Sequence, residues 1–231
     1  MHIKLYNATI PMNASLKTAL NTADLVADAL RTSIMKGNLR GGHALRQEEL
    51  AAQYGVSKIP VREALFQLQS EGLVDFIPGR GAMVSQLSPA DANEIYVMRI
   101  ALEQVALRTA IPNLQASDFI KAESALKQID AGPSQQDLGD PTSWGRLNWE
   151  FHTTLYKPAG MPRLLDTLKM WQTNVARYFF VYQEIAYREK SNAEHWEILE
   201  ACQQKDADLA CNLLAEHLSL ASAQLFKYLS D

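Results

Sequence analysis

The chain has 231 residues, 47% of them hydrophobic, and a formal net charge of −4. That is enough apolar material for one large buried core or two small ones, and the slightly negative balance excludes a protein that coats nucleic acid indiscriminately. No apolar run reaches the length of a membrane span, no basic stretch leads into an apolar signal core, and Cys202 and Cys211 are too few for a disulfide scaffold, so a cytoplasmic globular protein with buried reduced thiols is expected.

Residues 1–20 show no sustained periodicity and read as a loose extension. A helix follows, with Leu25, Ala29, Ile34 and Met35 as its expected apolar face, stopped by Gly37 and the pair Gly41-Gly42. A short helix spans 47–54, and Gly55 ends it because glycine tolerates the left-handed turn. Ser57 is placed to cap the next helix through its hydroxyl. In that helix Val61, Leu65, Leu68 and then Leu73 recur at helical spacing, leaving Lys58, Ile59, Arg62 and Gln69 on or near the opposite side. Residues 73–77 and 82–85 alternate like two short strands, with Pro78, Gly79, Arg80 and Gly81 as the turn between them. Three helices and a hairpin make a winged helix-turn-helix, which enters a DNA major groove with the polar side of its third helix.

The charge distribution agrees. Up to Ser85, nine Lys and Arg stand against seven Asp and Glu, a net +2; the remainder carries 13 against 19, a net −6. The first part is the better partner for phosphate.

A boundary is expected at 86–88, dividing an extension at 1–20 and a winged unit at 21–86 from a second unit at 87–231. Ser88 can cap the following helix, Pro89 suits its first turn and Asp91 its positive end. Beyond it the predicted elements are all helical: 89–111, 117–131, 141–157, 162–185, 192–204 and 207–229, with a polar loop at 132–140. Ser191 and Glu194 have capping-box spacing, which predicts a helix start there and places His195 in its first turn. The expected fold class is mainly α: a winged helix-turn-helix followed by an all-α helical bundle.

With both halves in view, the chain resembles the GntR family of bacterial transcription regulators, in the FadR-type branch whose C-terminal FCD domain is an all-helical ligand-binding unit. The resemblance rests on LVADALRTSIMKGNLRGGHALRQEELAAQYGVSKIPVREAL and EGLVDFIPGRGAMVS in the first half. In the second half it rests on MRIALEQVALRTA, NWEFHTTLYKPAG, AEHWEILEACQQKDADLA and the late EHL, in the family's order. It implies a cytoplasmic homodimer, a repressor of transcription, that binds double-stranded operator DNA and a small organic acid effector.

For DNA binding the resemblance implies that Ser57, Lys58 and Arg62 contact phosphates and bases, and that Gly79 and Arg80 bring the wing tip to the minor groove. Arg46, just before the second helix, is a further phosphate contact by position. Two departures stand out: Lys58 where arginine is common, and Ile59 where threonine is usual. Ile59 either touches a thymine methyl or packs internally. The bland alternative for Arg62 is a pair with an acid such as Glu63, and for Lys58 plain solvation.

In the helical half, three of the chain's five histidines, His152, His195 and His217, stand where the resemblance implies metal ligands, with Asn148 in the fourth position. Asn148 and His152 are one turn apart on one helix face. His195 and His217 lie at similar distances on either side of the turn near Lys205, so antiparallel helices bring them to one height. Three imidazoles suit a divalent transition ion, zinc first, with nickel and manganese as further candidates. Asparagine in place of aspartate removes a charge and predicts weaker or different metal occupancy. Each histidine alone reads as a hydrogen-bonded core residue; their joint placement favours the metal site. Arg99 matches an arginine that implies an effector cavity, and a cavity holding a cation and a guanidinium attracts a carboxylate, with Asn148 beside it. An Arg99–Glu103 helix pair is the equal alternative. Trp149, Phe151, Trp171, Tyr178, Phe179 and Trp196 read as core. Two rival functions remain: a metal-dependent hydrolase using the three histidines, and a metal-free regulator of the same architecture binding a larger apolar effector.

Overall fold

The computed structural model describes residues 22–86, 88–132, 143–181 and 185–230, without the side chains of 177–181, 185–188, 228 and 230. The expected extension at 1–20, Leu87 at the expected boundary, all but the first residue of the polar loop at 132–140, the helix start at Pro141, and the Tyr178 and Phe179 side chains lie outside them. The chain divides into two compact units, Met1–Leu87 and Ser88–Asp231.

The first unit holds α1 (Thr22–Met35), α2 (Gln47–Tyr54), α3 (Lys58–Ser70) and a hairpin of β1 (Val74–Ile77) with β2 (Gly81–Val84). The strands pair antiparallel, Val74 opposite Val84 and Ile77 opposite Gly81. Ala44 bridges to Met83, and the Leu45 N–H donates to Ala82 O at 2.8 Å, tying the segment before α2 to the wing. Val26, Leu30 and Ile34 of α1 pack with Val61, Leu65 and Leu68 of α3, and Leu73, Val74 and Val84 close the same core. Burying one such side chain contributes about 1.5–3 kcal/mol. The buried face of α1 is thus turned from the expected one: Ile34 is buried, whereas Leu25, Ala29 and Met35 are only half-buried beside the Val26–Leu30–Ile34 row. Alanines Ala23 and Ala27 complete that row, and their small side chains carried little apolar signal.

Gly55 ends α2 in the left-handed conformation at φ 65°. Ser57 occupies the N-cap of α3 with extended backbone, but its hydroxyl makes no capping bond, so the expected side-chain cap is absent. In the wing turn the Arg80 N–H donates to Ile77 O at 3.0 Å, and Gly79 has φ 75°. Proline then glycine with positive φ is the sequence demand of a type II turn.

The second unit contains only helices among the described residues: α4 (Pro89–Ala110), α5 (Ala116–Asp130), α6 (Ser143–Tyr156), α7 (Pro162–Val181), α8 (Ile185–Gln203) and α9 (Ala207–Ser230), with short 3-10 turns after α4 and α6. Ser88 and Asp91 form the reciprocal capping box at the start of α4. Helix α4 packs against α9, α5 against α6 and α8, and α8 against α9. Lys205, at φ 58°, turns the chain between α8 and α9. The predicted start of α8 is overturned. The helix begins at Ile185, and Ser191 lies inside it, buried, with no hydrogen-bond partner for its hydroxyl. Residues 185–190 contain neither glycine nor proline, and a spacing of three also puts two side chains on one face of a continuous helix, so a capping-box pattern does not by itself mark an end.

Candidate nucleic-acid interface and metal centre

The first unit presents its polar groups outward from a rigid base. Ile59 is 70% exposed, which removes the internal-packing alternative for it. Arg62, one turn on, is exposed and has no ion-pair partner among the described residues; its guanidinium carbon lies 5.3 Å from the centroid of the Phe66 ring. Phe66 in turn stacks on Phe76 of β1 at 4.9 Å, so the arginine rests on an aromatic pair that joins helix to wing. Phe66 was not singled out in the sequence, although it follows Ile59 and Arg62 along one helix face. Lys58 is not merely solvated: its ammonium donates to Glu48 Oε1 at 2.6 Å, an exposed pair that holds the Glu48 carboxyl below the usual carboxylate range. Arg46 pairs with Glu49 at 3.1 Å, also in solvent. Gly79 and Arg80 sit exposed at the wing tip, and a side chain added at Gly79 or Gly81 would meet nothing within 4 Å, so the backbone there is open to close approach. Ser57 is exposed as well. Exposed pairs of this kind add little to stability and are readily exchanged for phosphate.

The second unit does the reverse. His152 on α6, His195 on α8 and His217 on α9 are buried and converge, one ligand atom from each lying within 4.8 Å of the others. The Nε2 atoms of His195 and His217 are 3.2 Å apart. Two nitrogens bound to one tetrahedral zinc at about 2.0–2.1 Å lie about 3.3 Å apart. The antiparallel return of α9 along α8 does what the sequence reading required, even though α8 starts earlier.

The outer groups were the part that sequence reasoning missed. His217 Nδ1 lies 2.8 Å from Glu194 Oε2, and His152 Nδ1 lies 3.1 Å from the Tyr156 hydroxyl, which donates to Glu103 Oε2 at 2.7 Å. Arg99 donates through Nε to Glu103 Oε1 at 2.7 Å with both side chains buried, so the helix-pair alternative for Arg99 is present, one turn from the cluster's own support. The guanidinium also sits 5.0 Å from the centroid of Tyr96. Phe151 is fully buried and packs at 4.8 Å from the His195 ring as a wall of the cluster. Cys202 and Cys211 are free and buried; burial pushes the Cys202 thiol up to about 12.

Burial, then His217 and Arg99, push His152 well below the ordinary imidazole range; burial, then His217 and His152, do the same for His195. Neutral imidazole is the form that binds metal. Burial pushes Tyr156 well above the phenol range, with Glu103 adding to the effect. For Arg99, burial opposes the charge, but Glu103, Tyr96 and Tyr156 together outweigh it and the guanidinium is held charged. Asn148 is buried one turn before His152, and its side-chain oxygen has no hydrogen-bond partner, as has His195 Nδ1. An orphaned buried acceptor beside converging imidazoles is what a cation site leaves behind, so the donor set fits a metal ion.

Comparison with known proteins places both halves. Residues 22–84 match the family described as bacterial regulatory proteins, gntR family, and residues 94–220 match the FCD domain. The chain is 27% identical over 190 residues to the HTH-type transcriptional repressor RspR of Escherichia coli, covering 82% of each. Among solved structures it is similar to McbR/YncC of E. coli, with a TM-score of 0.72 at 25% identity over 90% of this chain and 98% of that one. A GntR family member from Pseudomonas syringae is 33% identical, with a TM-score of 0.52, covering 98% of this chain and 90% of that one.

Proposed function

Because the chain belongs to the GntR family of bacterial regulatory proteins and carries an FCD domain, we propose that it is a repressor whose hold on operator DNA is set by a small carboxylate bound beside a divalent metal ion in the helical unit. It is a transcription regulator and not an enzyme, as its family and relatives are, which removes the hydrolase reading. No helix among the described residues is long and apolar enough to cross a membrane, and a cytoplasmic place goes with the role.

The observation that carries the DNA reading is the outward face of α3, with Ile59 and Arg62 projecting from a core-packed helix. The Arg62 fork is suited to guanine's two major-groove acceptors or to a phosphate, and Ile59 to a thymine methyl. Ser57, Lys58 and Arg46 supply phosphate contacts at the start of α3 and α2, and Gly79 with Arg80 take the wing to the minor groove. Two copies related by a two-fold axis read a near-palindromic site.

In the helical unit His152, His195 and His217, with the Asn148 oxygen, would hold the ion, zinc in the first instance and nickel or manganese as alternatives. The bound ion would supply a positive charge to an anionic effector. Glu103 engages the Arg99 Nε–H, and the far side of the same guanidinium would meet a second carboxylate oxygen of the effector. All four protein ligands are neutral, so the effector's negative charge is favoured.

The test is fluorescence anisotropy with the upstream region of the protein's own gene against random duplex of equal length. Preference for the upstream fragment, relieved by small carboxylates in zinc-loaded but not chelator-stripped protein, is the expected result. By linkage, an effector that weakens operator binding must bind less tightly to the DNA complex. Equal binding of both fragments contradicts the DNA reading; a full carboxylate response from stripped protein contradicts the metal.

A further inference from the structure

Tyr156 stands between two buried groups at the edge of the histidine cluster. Its hydroxyl donates to Glu103 Oε2 at 2.7 Å and lies 3.1 Å from His152 Nδ1, while the other oxygen of Glu103 accepts the Arg99 Nε–H at 2.7 Å. Glu103, Tyr156 and His152 are each at most 1% exposed, so water does not compete for these bonds. A hydroxyl carries a single proton, and a carboxylate in an ion pair with arginine has none to give. The Tyr156 proton is therefore committed to Glu103. The contact with His152 must run the other way, from Nδ1–H to the phenol oxygen. A neutral imidazole has one N–H, so Nε2 keeps its lone pair.

We infer that Glu103 and Tyr156 are positioning residues that lock His152 in its Nδ1–H tautomer, so that Nε2 is the nitrogen it offers to a cation, with Arg99 holding the carboxylate in place. Helix α4 contributes Arg99 and Glu103 and α6 contributes Tyr156 and His152, so the relay couples the first helix of the unit to a ligand 49 positions or more along the chain. Glu194 plays the corresponding part for His217, whose Nδ1 faces its carboxylate at 2.8 Å. His195 has no such support: its Nδ1 is buried without a hydrogen bond, and ring packing on Phe151 orients it instead. Outer partners of this kind fix ring orientation and raise ligand basicity.

The consequence for the ion rests on the metal reading above, but the tautomer belongs to the protein alone and is read without any metal. The experiment uses full-length protein with 15N-labelled histidine, stripped with a chelator, and long-range proton–nitrogen spectra, His152 being assigned by its loss in His152→Gln. Wild type is expected to show His152 protonated on Nδ1. In Tyr156→Phe that proton should move to Nε2 in a substantial fraction of molecules, and zinc affinity, measured by competition with a chelating dye, should fall about 10–100-fold. Glu103→Gln keeps the shape but ends the acceptor-only character of the side chain, which lets Tyr156 turn its proton toward His152; a shift in the same direction is expected, and this variant decides if Tyr156→Phe does not fold. Wild-type His152 protonated on Nε2, or both variants with unchanged tautomer and unchanged zinc affinity, would overturn the inference. Wild type that shows the Nδ1–H tautomer and the shift in the variants but binds no zinc would uphold the relay and overturn the metal reading.

Discussion

The two units use the same polar residue types under opposite conditions. In the winged unit Lys58–Glu48 and Arg46–Glu49 are pairs in solvent, each made of groups that water would serve nearly as well. In the helical unit Arg99–Glu103 is a pair in a core, where losing a partner strands a charge that nothing replaces. The lesson is one of interchangeability. Exposed pairs are provisional and can be traded for phosphate, whereas any break in the buried chain from Arg99 to His152 leaves a polar group without its partner in the core.

The largest effect should come from breaking that buried chain. Glu103→Ala leaves the Arg99 guanidinium and the Tyr156 hydroxyl without their acceptor, and a loss of about 3–5 kcal/mol in urea unfolding is expected. A loss below about 1 kcal/mol would mean that the pair is hydrated after all, and the contrast between the units would dissolve. Next is Arg62→Ala, which should weaken operator binding by about 1–3 kcal/mol while the unfolding midpoint stays put, because the side chain lies outside the core. Phe66→Leu sharpens the comparison: it removes the aromatic rest for Arg62, and about 0.5–1 kcal/mol of operator affinity should go with it, read by anisotropy at fixed salt. Smallest is Glu48→Gln. Thermal melts should not move, and DNA binding should tighten slightly as Lys58 is released, with a steeper dependence on salt concentration.

Legibility in the sequence followed the range of the interactions. The wing turn, the Gly55 stop and the Ser88–Asp91 cap depend on neighbours within a few positions, and their residues announced them. The meeting of His195 and His217 was also readable, because one turn at Lys205 sufficed to bring α8 and α9 alongside each other, whereas His152 on α6 joined them only through the family resemblance. Tyr156 as the link from Glu103 to His152 was not, since its two partners reach it from different helices and no local period encodes that meeting. Ser191 misled for the opposite reason: a local pattern with two meanings was resolved by burial inside α8, which only tertiary packing decides.

The central claim is that the outward face of α3 reads DNA while the buried histidines serve a separate task. Footprinting the upstream region of the protein's own gene with wild type, Arg62→Ala and His195→Ala, in metal-free buffer without carboxylates, tests it most directly. The account expects a protected, near-palindromic stretch with wild type and His195→Ala, and its loss with Arg62→Ala at the same protein concentration. Protection that survives Arg62→Ala unchanged, or no protected stretch with wild type, would contradict it.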